Sequence, residues 1–187
     1  MDAANIDLKG FTEDFYHKVC YVHLQPVLET LVYVKRETNV WLEITTLLIP
    51  GLNDSERELE EMTQWVVENL SPDVPWHFTA FHPDSRMRDI PPTGAATLSR
   101  ARAIAMKNGV RYAFTGNVYD PDGQATYCHH CRALLIGRDG YEITAWHLGE
   151  DGACSKCGTP CAGIFERAPG RWGSRRMPVE ISPAGSA

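Results

Sequence analysis

The chain has 187 residues, enough for one ordinary domain and a small appendage. Its hydrophobic content of 43% and charged content of 22% are those of a soluble globular protein, and a net charge of −6 argues against a nucleic-acid-binding surface, which carries a basic excess. No apolar run approaches the roughly 18–20 residues that span a bilayer, and the N-terminus lacks the basic and apolar regions of a secretory leader; the cytoplasm is the expected location, with neither membrane nor nucleic acid as partner.

The opening stretch Asn5-Ile6-Asp7-Leu8-Lys9 alternates polar and apolar residues, the pattern of a half-buried strand. A carboxylate and an ammonium two residues apart on a buried strand need partners; the other reading is a salt-bridged strand at an exposed sheet edge. Thr12 followed by Glu13 and Asp14 marks a helix start. The next helix carries Pro26 in its first turn and Leu28, Leu31, Val32 and Lys35 at helical spacing. Residues 39–51 are rich in β-branched side chains and close on Pro50-Gly51, a strand and its turn. Ser55 with Glu58 forms a capping-box pattern ahead of the stripe Leu59, Met62, Trp65 and Val66. A strand between Pro75 and Pro83, a helix from near Thr93 to Asn108-Gly109, and a short strand at 111–117 complete this part.

Strands alternating with helices predict parallel βα units and an α/β fold. Four strands are few for a flavodoxin-like sheet and fewer than a full barrel requires. In Trp41–Leu48 one face, Leu42, Ile44 and Leu48, suits packing on helices; the other presents Glu43 and Thr45 beside Trp41 and Leu47. Inward polar groups at strand ends are how barrel active sites are built. The expected organisation is therefore a partial (βα) barrel over 1–117, a smaller β unit over 118–165, and a disordered Gly-, Pro-, Ser- and Arg-rich tail over 166–187.

Of the six cysteines, Cys128 and Cys131 form one pair and Cys154 and Cys157 a second, with 22 residues between the pairs. A two-residue gap aims both thiolates of a tight turn at one ion, and two such turns give a tetrahedral four-sulfur site. Zinc is expected, with a single iron as the second choice. With all four positions taken by sulfur the role is structural, the ion standing in for a core that so small a unit cannot build. Gly158 suits the tight turn after Cys157, whereas Arg132 occupies the equivalent place after Cys131. Cys161 is a spare, a free thiol or an alternative ligand; His129 and His130 are expected to face solvent, and Cys20 to be a small buried hydrophobe.

The stretches NIDLKGF, WLEITTLLIPGLND and FTAFHPDSRM together resemble the later strands of radical S-adenosylmethionine enzymes of the activating kind, related to pyruvate formate-lyase activators. The closest resemblance is to the radical SAM enzyme of the AmmeMemoRadiSam system, which also ends in a YC..C to C..CGT ribbon; it covers roughly residues 3–165. The resemblance implies a 4Fe-4S cluster held by a CxxxCxxC loop, S-adenosylmethionine bound to its unique iron, and a 5'-deoxyadenosyl radical that abstracts hydrogen. No CxxxCxxC occurs in this sequence, so it resembles the C-terminal part of such an enzyme, expected to be inactive alone and to pair with a missing N-terminal half or separate chain; Memo-like proteins are the further partners implied. Asp7 and Lys9 match a DxK pair near the amino-acid end of S-adenosylmethionine, which needs one group of each sign. His82 matches a histidine near the cofactor, Glu43 and Thr45 share the same lumen, and Asn117 ranks last. The alternative function is a zinc-ribbon-bearing protein-interaction module without catalytic activity.

Overall fold

The computed structural model describes residues 1–170 and 175. Most of the tail expected to be disordered, 171–174 and 176–187, lies outside the described residues. The first part of the chain runs β1 (Ala3–Asp7), α1 (Glu13–Phe15) continuing into a π turn (Tyr16–Cys20), α2 (Leu24–Glu37), β2 (Trp41–Leu48), α3 (Glu56–Asn69), β3 (Trp76–Ala80), α4 (Ala95–Lys107) and β4 (Ala113–Gly116). The second part runs α5 (Pro121–Gln124), β5 (Thr126–Tyr127), β6 (Leu134–Asp139) and β7 (Glu142–Trp146).

Local sequence explains most boundaries. Thr12 caps α1 by accepting from the Phe15 N–H at 3.2 Å, and Ser55 caps α3 by accepting from the Glu58 N–H at 3.3 Å. The capping box is only half made. The Glu58 carboxylate turns away from the cap and accepts the Phe11 N–H at 2.7 Å, tying the loop after β1 to α3. Thr93 stands just before α4 rather than inside it: its buried hydroxyl donates to the Leu48 carbonyl at 2.5 Å and accepts from the Phe81 N–H at 3.0 Å.

The expected α/β architecture is present: β1-β2-β3-β4 form one sheet in that order, every neighbour parallel, and β5-β6-β7 a small antiparallel one. A strand order that never reverses places all crossover helices on one side of the sheet. Accordingly Leu42, Ile44 and Leu48 of β2 and Trp76 and Phe78 of β3 share a core with Leu31 of α2, Leu59, Met62 and Val66 of α3, and Leu98, Ala101, Ile104 and Ala105 of α4. The buried face of β2 alternates strictly with a half-exposed one. Both faces would be covered in a doubly wound sheet; here one side is helical and the other is a lumen, as in a segment of a barrel. Buried polar groups on the packed side are satisfied: Trp76 Nε1 donates to Thr46 Oγ1 at 2.9 Å, and that hydroxyl donates to the Leu8 carbonyl at 2.6 Å.

Candidate metal centre and lumen face

The two cysteine knuckles repeat one backbone design. Cys128 N donates to Ala133 O, and Cys154 N to Thr159 O, each at 2.8 Å; Arg132 N donates to Cys128 O at 3.0 Å, and Gly158 N to Cys154 O at 2.8 Å. The residue after each second cysteine must turn left-handed. Gly158 does so at φ +73° and Arg132 at φ +61°, so the half judged less suitable by sequence adopts the same turn under steric strain. The four sulfurs lie within 4.8 Å of one another, with Cys128 Sγ–Cys157 Sγ at 3.6 Å and Cys131 Sγ–Cys154 Sγ at 3.7 Å.

Those separations suit a single metal ion. They far exceed a disulfide bond of about 2.05 Å. A tetrahedron with zinc–sulfur bonds of about 2.3 Å has edges of roughly 3.8 Å, which the two closest pairs match. A four-iron cube would carry its thiolates outward and farther apart. Cys157 is drawn down to about 5, first by its hydrogen bond with the Thr159 hydroxyl and then by the Thr159 backbone N–H. Cys131, although its hydrogen bond with the Ala133 backbone lowers it, is pushed up to about 11 by burial and by Cys157, Cys128 and Cys154. Without an ion the group shares protons, and a thiolate is the form that binds a metal. Cys161 lies outside the four-sulfur group. It is buried against Tyr112, Cys128 and Cys154, and burial pushes its thiol up. His130 is exposed and His129 half-buried, with its ring edge-on to Tyr112; neither belongs to the four-sulfur group.

On the lumen face, the sequence-predicted residues fall at two levels. Asp7 and Lys9 stand at the C-terminal end of β1, about half exposed, and form an ion pair with each other at 2.9 Å. Their charges are met locally, as in the edge-strand reading. His82 follows β3 at the same end and is exposed. Asn117 follows β4 at φ +60° and donates to the Ala80 carbonyl at 3.3 Å. Asn53, which sequence reasoning passed over, braces this rim: fully buried, its Nδ2 donates to Lys9 O at 2.5 Å and Leu47 O at 2.9 Å, while its Oδ1 accepts from Ile49 N at 2.7 Å. Thr45 sits midway, donating to Asn5 Oδ1 at 2.8 Å.

Glu43 belongs to the other end. One carboxylate oxygen meets His77 Nε2 at 2.8 Å and the other accepts from Trp41 Nε1 at 3.2 Å. The His77 contact, ahead of the Trp41 bond, holds the Glu43 carboxyl below its ordinary range against the opposing effect of burial. His77 stacks on Phe114 at 5.2 Å, and the Arg138 guanidinium of β6 lies 5.6 Å from the centre of the same ring. These residues line a cavity of about 780 Å³ between the lumen face and the small sheet. Sequence reasoning missed His77 and Arg138. The alternation that picked out Glu43 also selects His77 on the neighbouring strand, but nothing local brings Arg138 to them.

Fold and site together define an α/β protein built on an open run of parallel βα units, carrying a four-cysteine site positioned to bind a metal ion. No family model matches the chain. It is 42% identical over 159 residues to an uncharacterized protein, MJ0808, of Methanocaldococcus jannaschii; the match takes in 84% of this chain and 47% of the relative, so the chain spans about half the relative's length. In three dimensions it resembles a crystal structure of a domain of pyruvate-formate lyase-activating enzyme from Bacteroides vulgatus, with a TM-score of 0.52 and 18% sequence identity over 60% of this chain and 66% of that one. At that identity the likeness is one of fold.

Proposed function

We propose that residues 1–117 are the C-terminal section of a radical S-adenosylmethionine barrel of the activating-enzyme kind, closest to the AmmeMemoRadiSam type, and that residues 118–165 are a structural zinc ribbon. The observation that carries this reading is the one-sided parallel sheet, helices on one face and a polar lumen on the other, in the topology shared with the activating-enzyme domain. Asp7 and Lys9 offer the carboxylate and ammonium that complement the amino-acid end of S-adenosylmethionine. They pair with each other at 2.9 Å, so the ligand's ammonium and carboxylate would replace an existing contact of equal sign pattern. One electron delivered to the bound sulfonium by an iron-sulfur cluster would cleave it to methionine and the hydrogen-abstracting 5'-deoxyadenosyl radical.

The cluster does not fit these residues. Residues 1–187 contain no CxxxCxxC, and the four sulfurs within 4.8 Å suit a single ion. The iron-sulfur chemistry is therefore assigned to another segment or chain, with Memo-like proteins as the partner class that the resemblance suggests. Four sulfur ligands leave no open position, which makes the ribbon's metal structural, and zinc fits the sulfur spacing.

Two measurements test the reading. Elemental analysis of freshly purified protein is expected to give one zinc per chain; finding neither zinc nor iron refutes the ribbon site. Anaerobic reconstitution with iron and sulfide is expected to give no deoxyadenosine from residues 1–187 alone and turnover once a CxxxCxxC-bearing segment is joined to them. In the joined protein Asp7→Asn and Lys9→Met should each lower S-adenosylmethionine cleavage by about tenfold, the scale of one charge-assisted hydrogen bond. Deoxyadenosine from this chain alone would overturn the partition, and unchanged cleavage in both variants would remove Asp7 and Lys9 from the site.

A further inference from the structure

Barrel enzymes place chemistry at the C-terminal ends of their strands, where Asp7, Lys9 and His82 stand. The 780 Å³ cavity lies elsewhere. Its walls are the first residues of β1, β2 and β3, the length of β4 through Asn117, the small sheet laid across them, and the segment 161–165. Of the candidates that the resemblance places near the cofactor, Asp7, Lys9, Thr45 and His82 do not line it, whereas Glu43 and Asn117 do. Its size falls within the range of small-molecule sites, and its body is apolar and aromatic: Trp41, Tyr112, Phe114, Ile136 and Phe165.

Against that background one guanidinium is only partly answered. Arg138 reaches from β6 over Phe114, and its Nη1 is anchored by donating to Gln124 O at 3.0 Å and Thr126 Oγ1 at 2.8 Å. Among the described residues, Nη2 and Nε have no hydrogen-bond partner, and no carboxylate lies within ion-pairing distance of the guanidinium. Glu43, the nearby acid, already gives both oxygens to His77 and Trp41. Burial lowers the pKa of Arg138, and the Glu43 charge only partly offsets this. A guanidinium fixed at one nitrogen, with its remaining N–H groups free beside a cavity, is a fork for a planar or tetrahedral oxyanion.

We propose that this cavity, at the N-terminal ends of the strands, binds a small organic oxyanion with an aromatic or otherwise flat body, the oxyanion held by Arg138 and the body between Phe114, Trp41 and Tyr112. The site is independent of the radical-chemistry reading, because it needs neither the cluster nor S-adenosylmethionine. Carboxylate and phosphate share this chemistry, and the probes separate them.

The test titrates the metal-loaded full chain with indole-3-acetate, its neutral amide indole-3-acetamide, phenyl phosphate and inorganic phosphate, followed by calorimetry and by the ¹⁵N resonances of arginine side chains. At least one aromatic oxyanion is expected to bind with Kd of about 1 mM or tighter, to shift the Arg138 Nε signal, and to exceed the amide by about tenfold, the worth of a charge-assisted hydrogen bond. Which of indole-3-acetate and phenyl phosphate binds more tightly assigns the anion. Arg138→Lys, which keeps the charge but loses the fork, should weaken the oxyanion and leave the amide unchanged. Equal binding of acid and amide in the unaltered chain, no binding by either aromatic oxyanion, or full affinity in a folded Arg138→Lys protein would overturn the proposal. The comparison of acid with amide needs no variant, so a misfolded substitution does not blunt it.

Discussion

Arg132 and Gly158 occupy the same place in two turns with the same backbone hydrogen bonds, yet only one is a glycine. A non-glycine residue in the left-handed region pays roughly 1 kcal/mol, and Arg132 is exposed, with no hydrogen bond from its side chain among the described residues. Arg132→Gly should therefore match or slightly raise stability, because relief of strain outweighs the added freedom of the unfolded chain. Gly158→Ala should lower it by about 1 kcal/mol. Thermal melts with bound metal read both, and a destabilised Arg132→Gly would count against strain at the first knuckle. Glu58 makes a second case. Burial raises its carboxyl above the ordinary 4.5, although the Phe11 N–H pulls the other way. The folded state thus holds this proton where the unfolded state has released it, and stability from this group falls as pH rises from 4.5 through the folded value. Glu58→Gln keeps an acceptor for Phe11 and abolishes that loss. Its urea midpoint, relative to the unaltered protein, should be higher at about pH 7 than at about pH 4; the opposite trend would show that the charge itself secures the loop.

At the scale of elements, the two sheets are held by different physics. The parallel sheet rests on a continuous apolar core supplied by α2, α3 and α4. The small sheet has a buried cluster of few residues, Tyr112, Leu135, Ile136 and Leu148 with three cysteines, too little to fold a unit of this size without help. Metal binding should supply the difference, of the order of 10 kcal/mol in small zinc peptides. Chelation, or Cys154→Ser, is expected to unfold the ribbon while the helical signal of the parallel part persists. Far-ultraviolet circular dichroism and hydrogen exchange would follow this, and a ribbon whose amides stay protected without metal would refute a structural role. The same dependence reaches the cavity, since β6 carries Arg138 and rests on the ribbon's integrity.

For the molecule as a whole, the open sheet is the dominant feature. β1 pairs with β2 on one side only among the described residues. Leu8 donates to Thr45 O and Asp2 accepts from Trp41 N, so the even-numbered residues of this strand turn toward β2 and the odd-numbered ones, Asn5 among them, point their N–H and C=O groups outward. Such an edge is a template for another strand. Residues 1–187 alone are expected to self-associate with rising concentration, and Asn5→Pro, which deletes an outward donor and the Thr45 side-chain bond but leaves the backbone ladder to β2 in place, should reduce it. Sedimentation equilibrium tests this; a strict monomer at all concentrations would mean that the edge is covered.

Local pattern was enough for the alternation of helices and strands, the caps at Thr12 and Ser55, the two faces of β2 and the grouping of four cysteines placed to bind a metal ion, because each depends on neighbours a few residues apart or on a spacing that one turn imposes. It did not disclose that Glu58 leaves its cap for Phe11, nor that Asn53 clamps the ends of β1 and β2, because those partners are 47 and 44 residues away in sequence. Glu43 was visible as an inward carboxylate, but its separation from Asp7 and Lys9 was not: periodicity says which face a side chain takes, and only strand register says at which height. The pairing of β2 with β3 and the laying of β6 across them decided that Glu43, His77 and Arg138 face one cavity. Contacts made across sheets carry no signature in the residues beside them.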